Sequence, residues 1–184
     1  MKYFKPELLA RCRSLDDEVA DSAAQEWEQA ITTYRNHLRD IRQRLPAGAR
    51  RLSSRVSLHD AKVLALTTRR NQPCLTLLIR LEGTASQPGN VLELAYHLVA
   101  GPHGGLIVRK HQQSKKDAPS LGWVLYDEFD LDEQHAFFTH SLLLTDGSEV
   151  EIRFHNLRVR QVEEVLVSPL ELIEGERTWP LVEA

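Results

Sequence analysis

Apolar residues between Trp27 and Leu45 recur at Ile31, Tyr34, Leu38 and Ile41, spaced 4-3-4-3-4. That spacing lays one stripe along one face of a helix. A shorter helix is predicted over 6–13, opened by Pro6, whose missing N–H costs nothing at a first helical position. Ser14 then reads as the cap of the long helix, with Asp16, Asp17 and Glu18 in its first turn, where the dipole favours anions. Pro46 and Gly48 read as its stop, leaving Pro46–Ser57 as a loop. The stripe is too short for a coiled coil and is widened by Ala20, Ala23, Ala24 and Ala30, so it is expected to pack on the chain's own sheet.

Beyond residue 57 the period changes to two. Strands are predicted at 58–68 and 73–82, paired across Arg69-Arg70-Asn71-Gln72. A third is predicted at 91–99, with Leu92, Leu94, Tyr96 and Leu98 on one face. A fourth follows at 106–111 and a fifth over Trp123–Asp130. The sharpest local signal is the last hairpin. Thr145-Asp146-Gly147 fits a type I turn closed by a glycine bulge, pairing Leu144 with Ser148, Leu142 with Val150, His140 with Ile152 and Phe138 with Phe154. A slip of one residue would scatter the apolar set across both faces. Ser168-Pro169-Leu170-Glu171 is a capping box, predicting a short C-terminal helix ended by Gly175.

Helices followed by sustained alternation give an α+β fold. The expected form is one domain over 1–184: a helical segment at 1–45, an antiparallel meander of about seven strands over 58–167, and a tail over 168–184. A chain of 184 residues can bury a core without metal or disulfide. Its two cysteines, Cys12 and Cys74, lack paired spacing. No apolar run reaches membrane-spanning length, and no apolar stretch of signal-peptide length follows Met1, so a cytoplasmic location with no membrane partner is expected.

The Met1-Lys2-Tyr3-Phe4 start, Leu58-His59-Asp60, Trp123-Val124-Leu125-Tyr126-Asp127-Glu128 and the closing hairpin with its Phe-x-His-x-Leu and Glu-x-x-Ile-x-Phe pattern together resemble a bacterial family of uncharacterised proteins, of the domain-of-unknown-function class. The resemblance covers most of the chain. It implies a soluble bacterial α+β domain and carries over no catalytic residue.

Chemistry-bearing residues are scattered. Parity points His140 into the core and His155 away from it, while His97 shares an outer face with Glu93. No helical His-x-x-x-His or His-Glu-x-x-His is present, so no metal and no cofactor is expected. The acidic run Asp127-Glu128-Phe129-Asp130-Leu131-Asp132-Glu133 lacks the calcium-loop spacing. Asp127 and Glu128 alternate across a strand, so only one can face a given cleft, and the run reads most simply as a solvated strand end. His59 and Asp60, as neighbours in a strand, would face opposite sides, which leaves Asp60 as a turn or cap group. Trp27, Trp123 and Trp179 read as core or core-edge residues.

Charge is unevenly placed. Residues 35–70 hold ten Lys/Arg against Asp40 and Asp60, while residues 117–184 hold four arginines against fifteen Asp/Glu, in a chain of net −3. Either the two segments neutralise one another inside the fold, or they form surfaces of opposite sign used for association. Arg42, Arg44, Arg50, Arg51 and Arg55 are the candidate docking residues. Three functions stay open. One is a non-enzymatic protein-interaction module binding a protein partner or a second copy, of which an immunity-type protein binding a toxin would be one form. Another is an enzyme with a carboxylate or histidine site in a sheet cleft. The third, nucleic-acid binding through the same arginines, is not expected, because the patch lacks aromatics and the acidic segment would repel phosphate.

Overall fold

The computed structural model describes residues 1–68, 72–83, 90–100, 105–109 and 122–162. Three helices come first: α1 (Pro6–Cys12), α2 (Asp17–Ile41) and α3 (Ala47–Arg55). Seven strands follow: β1 (Lys62–Thr68), β2 (Cys74–Arg80), β3 (Val91–Leu98), β4 (Leu106–Arg109), β5 (Val124–Asp132), β6 (Phe137–Leu144) and β7 (Glu149–Val162). The fold is α+β with a wholly antiparallel sheet. The C-terminal helix expected from Ser168, Trp179, and most of the loops at 69–72, 83–90, 101–105 and 112–121 lie outside the described residues.

Helix α2 is capped two residues later than the pattern suggests. Asp16 Oδ1 accepts the N–H groups of Glu18 and Val19, while Ser14 Oγ accepts the N–H of Asp16. Residues 13–15 are used in the turn out of α1, where the Arg13 and Ser14 amides reach back to Ala10 and Arg11. The helix ends at Ile41, and the Arg44 and Leu45 amides both return to the Ile41 carbonyl. Pro46 does not stop a helix but starts one. It is the N-cap of α3, with its carbonyl accepting the Arg50 N–H. The loop expected over Pro46–Ser57 is therefore mostly helix.

The sheet consists of two three-stranded meanders, β1-β2-β3 and β5-β6-β7, joined by pairing β3 with β7. Strand β7 is long enough to hold β3 along its C-terminal half and β4 along its N-terminal half, on the same edge. The outer strands of this order curl round and meet. Lys62 bridges Trp123, and the Val124 amide donates to the Ala61 carbonyl at 2.8 Å. The closing hairpin has the register its turn chemistry dictates: Phe138 faces Phe154, His140 faces Ile152 and Leu142 faces Val150, with Gly147 at φ 82°.

The core divides along α2. Its C-terminal end enters the main cluster inside the curled sheet, where Ile41 and Leu45 meet Leu75, Leu94, Tyr96, Phe129 and Phe154. Trp27, nearer the N-terminus, packs with Phe4 and Leu143 on the other face of the sheet. The same helix shields an edge of β5, where the Tyr34 hydroxyl accepts the Phe129 N–H at 2.8 Å. Covering that edge removes a row of groups open to unwanted strand pairing.

Candidate interaction surface

The histidines come first, because they carry the case for catalysis. His140 is fully buried, as its parity predicts, and stacks on Phe129 with ring centres 4.1 Å apart. Its Nδ1 lies 2.7 Å from the Tyr96 hydroxyl and its Nε2 lies 3.2 Å from Asp127 Oδ2. Burial, and then the charge of Asp127, hold the Tyr96 phenol well above its ordinary range, so it keeps its proton. The protonated phenol is hydrogen-bonded to Nδ1, and Nε2 faces the Asp127 carboxylate, which can only accept. Tyr96 and His140 present no surface to a substrate. The array was hidden from sequence reasoning because Tyr96 and His140 sit on strands separated by β7.

His59 and Asp60 do touch, contrary to the strand argument: His59 Nδ1 is 2.7 Å from Asp60 Oδ2. The reason is backbone geometry. Asp60 has φ 60°, so Leu58–Asp60 is a turn ahead of β1 and strand parity does not apply. Asp60 does stand in a turn, and its amide donates to the Val124 carbonyl, but its side chain goes to His59. His97 lies beside His155, ring centres 6.3 Å apart, while Glu93 pairs with Arg160. Among the described residues, no three His, Cys, Asp or Glu side chains are grouped to hold a metal ion.

The acidic run is not a uniformly solvated strand end. Glu128 is buried, and its carboxylate accepts three backbone N–H groups, from Lys2, Tyr3 and Phe4. Asp130 meets Lys2 and His37, and Asp132 meets His135. An open cleft of about 530 Å³ runs beside the bound N-terminal segment, past Lys2, Arg109, Glu128, Glu149 and Glu151. Besides Glu128, two of its carboxylates already have partners: Glu149 holds the Met1 α-ammonium at 3.0 Å, and Glu151 is held by Arg109 and Arg153.

The candidate arginines converge on one region of the chain. On α3, Gly48, Ala49 and Leu52 lie toward the body, and an added Cβ at Gly48 would strike the Leu157 carbonyl of β7. That leaves Arg51 and Arg55, one turn apart, exposed, while Arg50 is half-buried. Arg42 and Arg44 are exposed on the turn between α2 and α3. Arg44 pairs with Glu133, the one Lys/Arg–carboxylate link between the basic and acidic segments among the described residues. Among the same residues, Arg42, Arg50, Arg51 and Arg55 have no carboxylate partner. The structure thus gives Arg44 to neutralisation and leaves the other four unmatched.

Comparison of the chain with family models, curated proteins and solved structures finds no match. No helix among the described residues is long and apolar enough to cross a membrane.

Proposed function

We propose that the chain is a protein-interaction module that docks an acidic protein surface on the outward side of α3 and the adjoining α2–α3 turn. The observation that carries this reading is the pair Arg51 and Arg55. They are exposed, one helical turn apart and without a carboxylate partner, on a helix seated directly against the β7 backbone. A rigid seat fixes the backbone from which both arginines project, which reduces the ordering cost of association. Arginine forks match carboxylate pairs, so acidic side chains are their natural complement. Phosphate would be drawn as well, but neither α3 nor the turn carries an aromatic residue on which a base could stack. The burial of Tyr96 and His140 favours a binding role over catalysis.

The test is a photo-crosslinker at exposed Ser54, used with the native chain and with Arg51→Glu/Arg55→Glu, at low and high salt. The expected result is an acidic protein crosslinked at Ser54, weakened by salt and lost on charge reversal while the melting midpoint stays put. Nucleic acid in the adduct, or a crosslink indifferent to the reversal, would overturn the reading.

A further inference from the structure

A different surface, on α2, carries charge in a pattern that matches itself. Asp17, Asp21, Glu28, Arg35, Arg39 and Arg42 recur at intervals of 4, 7, 7, 4 and 3. At 3.6 residues per turn these intervals place all six on one ridge, roughly a quarter turn round the helix from the buried line of Trp27, Tyr34 and Leu38. All six are exposed, and so are the short side chains Ala24 and Thr32 that fill the ridge between them. The N-terminal half of the ridge is wholly acidic and the C-terminal half wholly basic.

Neither local chemistry nor the rest of the fold accounts for this segregation. The helix dipole favours acids in the first turn and bases in the last, but its influence fades within a turn, and Glu28 and Arg35 lie mid-helix. Charges four residues apart on the ridge are alike, Asp17 with Asp21 and Arg35 with Arg39, and such pairs cost a few tenths of a kcal/mol each. A helix settling its own charges would interleave the signs. Among the described residues none of the six has an ion-pair partner. Helix α1 does not cover the ridge. Its Arg11 reaches Glu26, on the opposite flank of α2.

We infer that the α2 ridge is a self-association surface whose occupant is a second copy of this chain, laid antiparallel. Turning one helix end for end sets Asp17 against Arg42 of the other copy, Asp21 against Arg39 and Glu28 against Arg35. The midpoints of these three pairs fall together near Ala30–Thr32, where a two-fold axis would pass. Each pair then occurs twice, which is the signature of an isologous interface. With 25 residues, α2 offers about 37 Å of contact length. Contact along one polar ridge is modest in area, so the pairing is weak and reversible, and it is sensitive to salt.

The inference stands apart from the docking role of α3, because the occupant differs and the two surfaces share only Arg42, the C-cap of α2. Arg51→Glu/Arg55→Glu should leave self-association unchanged.

The test is sedimentation equilibrium of the native chain and of two variants, Asp21→Arg/Glu28→Arg and Arg35→Glu/Arg39→Glu, at low salt. The first variant makes the ridge basic except at Asp17, and the second makes it acidic except at Arg42. The native chain should dimerise, and raising the salt should weaken the dimer. Each variant alone should dissociate at least tenfold more readily, and an equal mixture of the two should pair again, as a heterodimer. Melting curves of the separate variants check that each is folded. A native chain that stays monomeric at millimolar concentration would overturn the inference. So would folded variants that self-associate as the native chain does, or a mixture no better paired than its components.

Discussion

The Leu157 carbonyl oxygen sits where a side chain on Gly48 would begin: a Cβ added at Gly48 would lie 1.9 Å from it. In an ordinary exposed helix, Gly→Ala gains up to about 1 kcal/mol from propensity. Here the obstacle is backbone at both ends of the contact, so neither group can swing aside. Gly48→Ala should lift α3 from β7 and lower stability by about 1–3 kcal/mol, the usual range for overpacking. Urea denaturation of the two proteins reads the sign directly, and a gain in stability would show that α3 shifts without cost.

Gly147 is needed for a different reason. Its φ of 82° lies in the left-handed region, and its amide closes the turn onto the Leu144 carbonyl at 2.9 Å. A β-branched side chain is strained there, so Gly147→Val should destabilise the fold by roughly 1 kcal/mol or more, while Gly147→Asn should lose less. Thermal melts of the pair check the order, and equal midpoints would remove the strain argument.

These two glycines also show what was legible in the sequence. The role of Gly147 follows from chain neighbours: turn residues and alternation agree, and the register of β6 with β7 follows. The role of Gly48 depends on β7, more than a hundred residues on, and the local text reads Pro46 equally well as a stop or a start. Strand order is non-local for the same reason. Alternation says that β3 and β7 each have an inner face, but not that they pair. Parity separated Glu128 from Asp127, yet it could not say that residues 2–4 would cover the outer side. Counting charge finds the arginines of α3, but the local sequence places them in a loop, and the helix that carries them shows only in the structure.

The phenol of Tyr96 is the partner of a buried imidazole nitrogen. Tyr96→Phe keeps the ring against Phe154 but leaves His140 Nδ1 without its partner at a fully buried position. An unsatisfied buried donor or acceptor costs about 1–3 kcal/mol. Denaturation should show that loss, and nitrogen NMR shifts of His140 should report the broken bond. An unchanged midpoint would mean that another polar group reaches Nδ1.

Glu151 gives stability an acid limb. Burial pushes its carboxyl up, but hydrogen bonds and charge from Arg109 and Arg153 together outweigh this and hold it below the ordinary 4.5. A folded-state value below the unfolded one favours folding above about pH 4.5, and that contribution fades as pH falls through the lower folded value. Glu151→Gln should therefore be less stable at neutral pH and should lose less stability between pH 5 and pH 3, a range set by the roughly one-unit spread of carboxyl values. Urea titrations across that range decide it. Parallel acid limbs in the two proteins would show that Arg109 and Arg153 add nothing.

Glu128 ties the N-terminal segment to the sheet. One oxygen accepts the amides of Tyr3 and Phe4, the other that of Lys2, and Phe4 then seats against Trp27 and Tyr126. Gln at this position keeps the shape and removes the charge, and its NH₂ group must face at least one backbone N–H, donor against donor. Hydrogen bonds to a charged group are worth about 1.5–3 kcal/mol, so Glu128→Gln should cost about that much. The loss should be local as well as global. Trypsin should cut sooner after Lys2, Arg11 and Arg13, because the segment and α1 depend on the clasp, while sites in β7 should stay protected until the whole fold opens. Mass spectrometry of a proteolysis time course separates the two. If Glu128→Gln melts with the native chain and its first cuts come no earlier, then Phe4 and Trp27 hold the segment by apolar contact alone, and the carboxylate is dispensable.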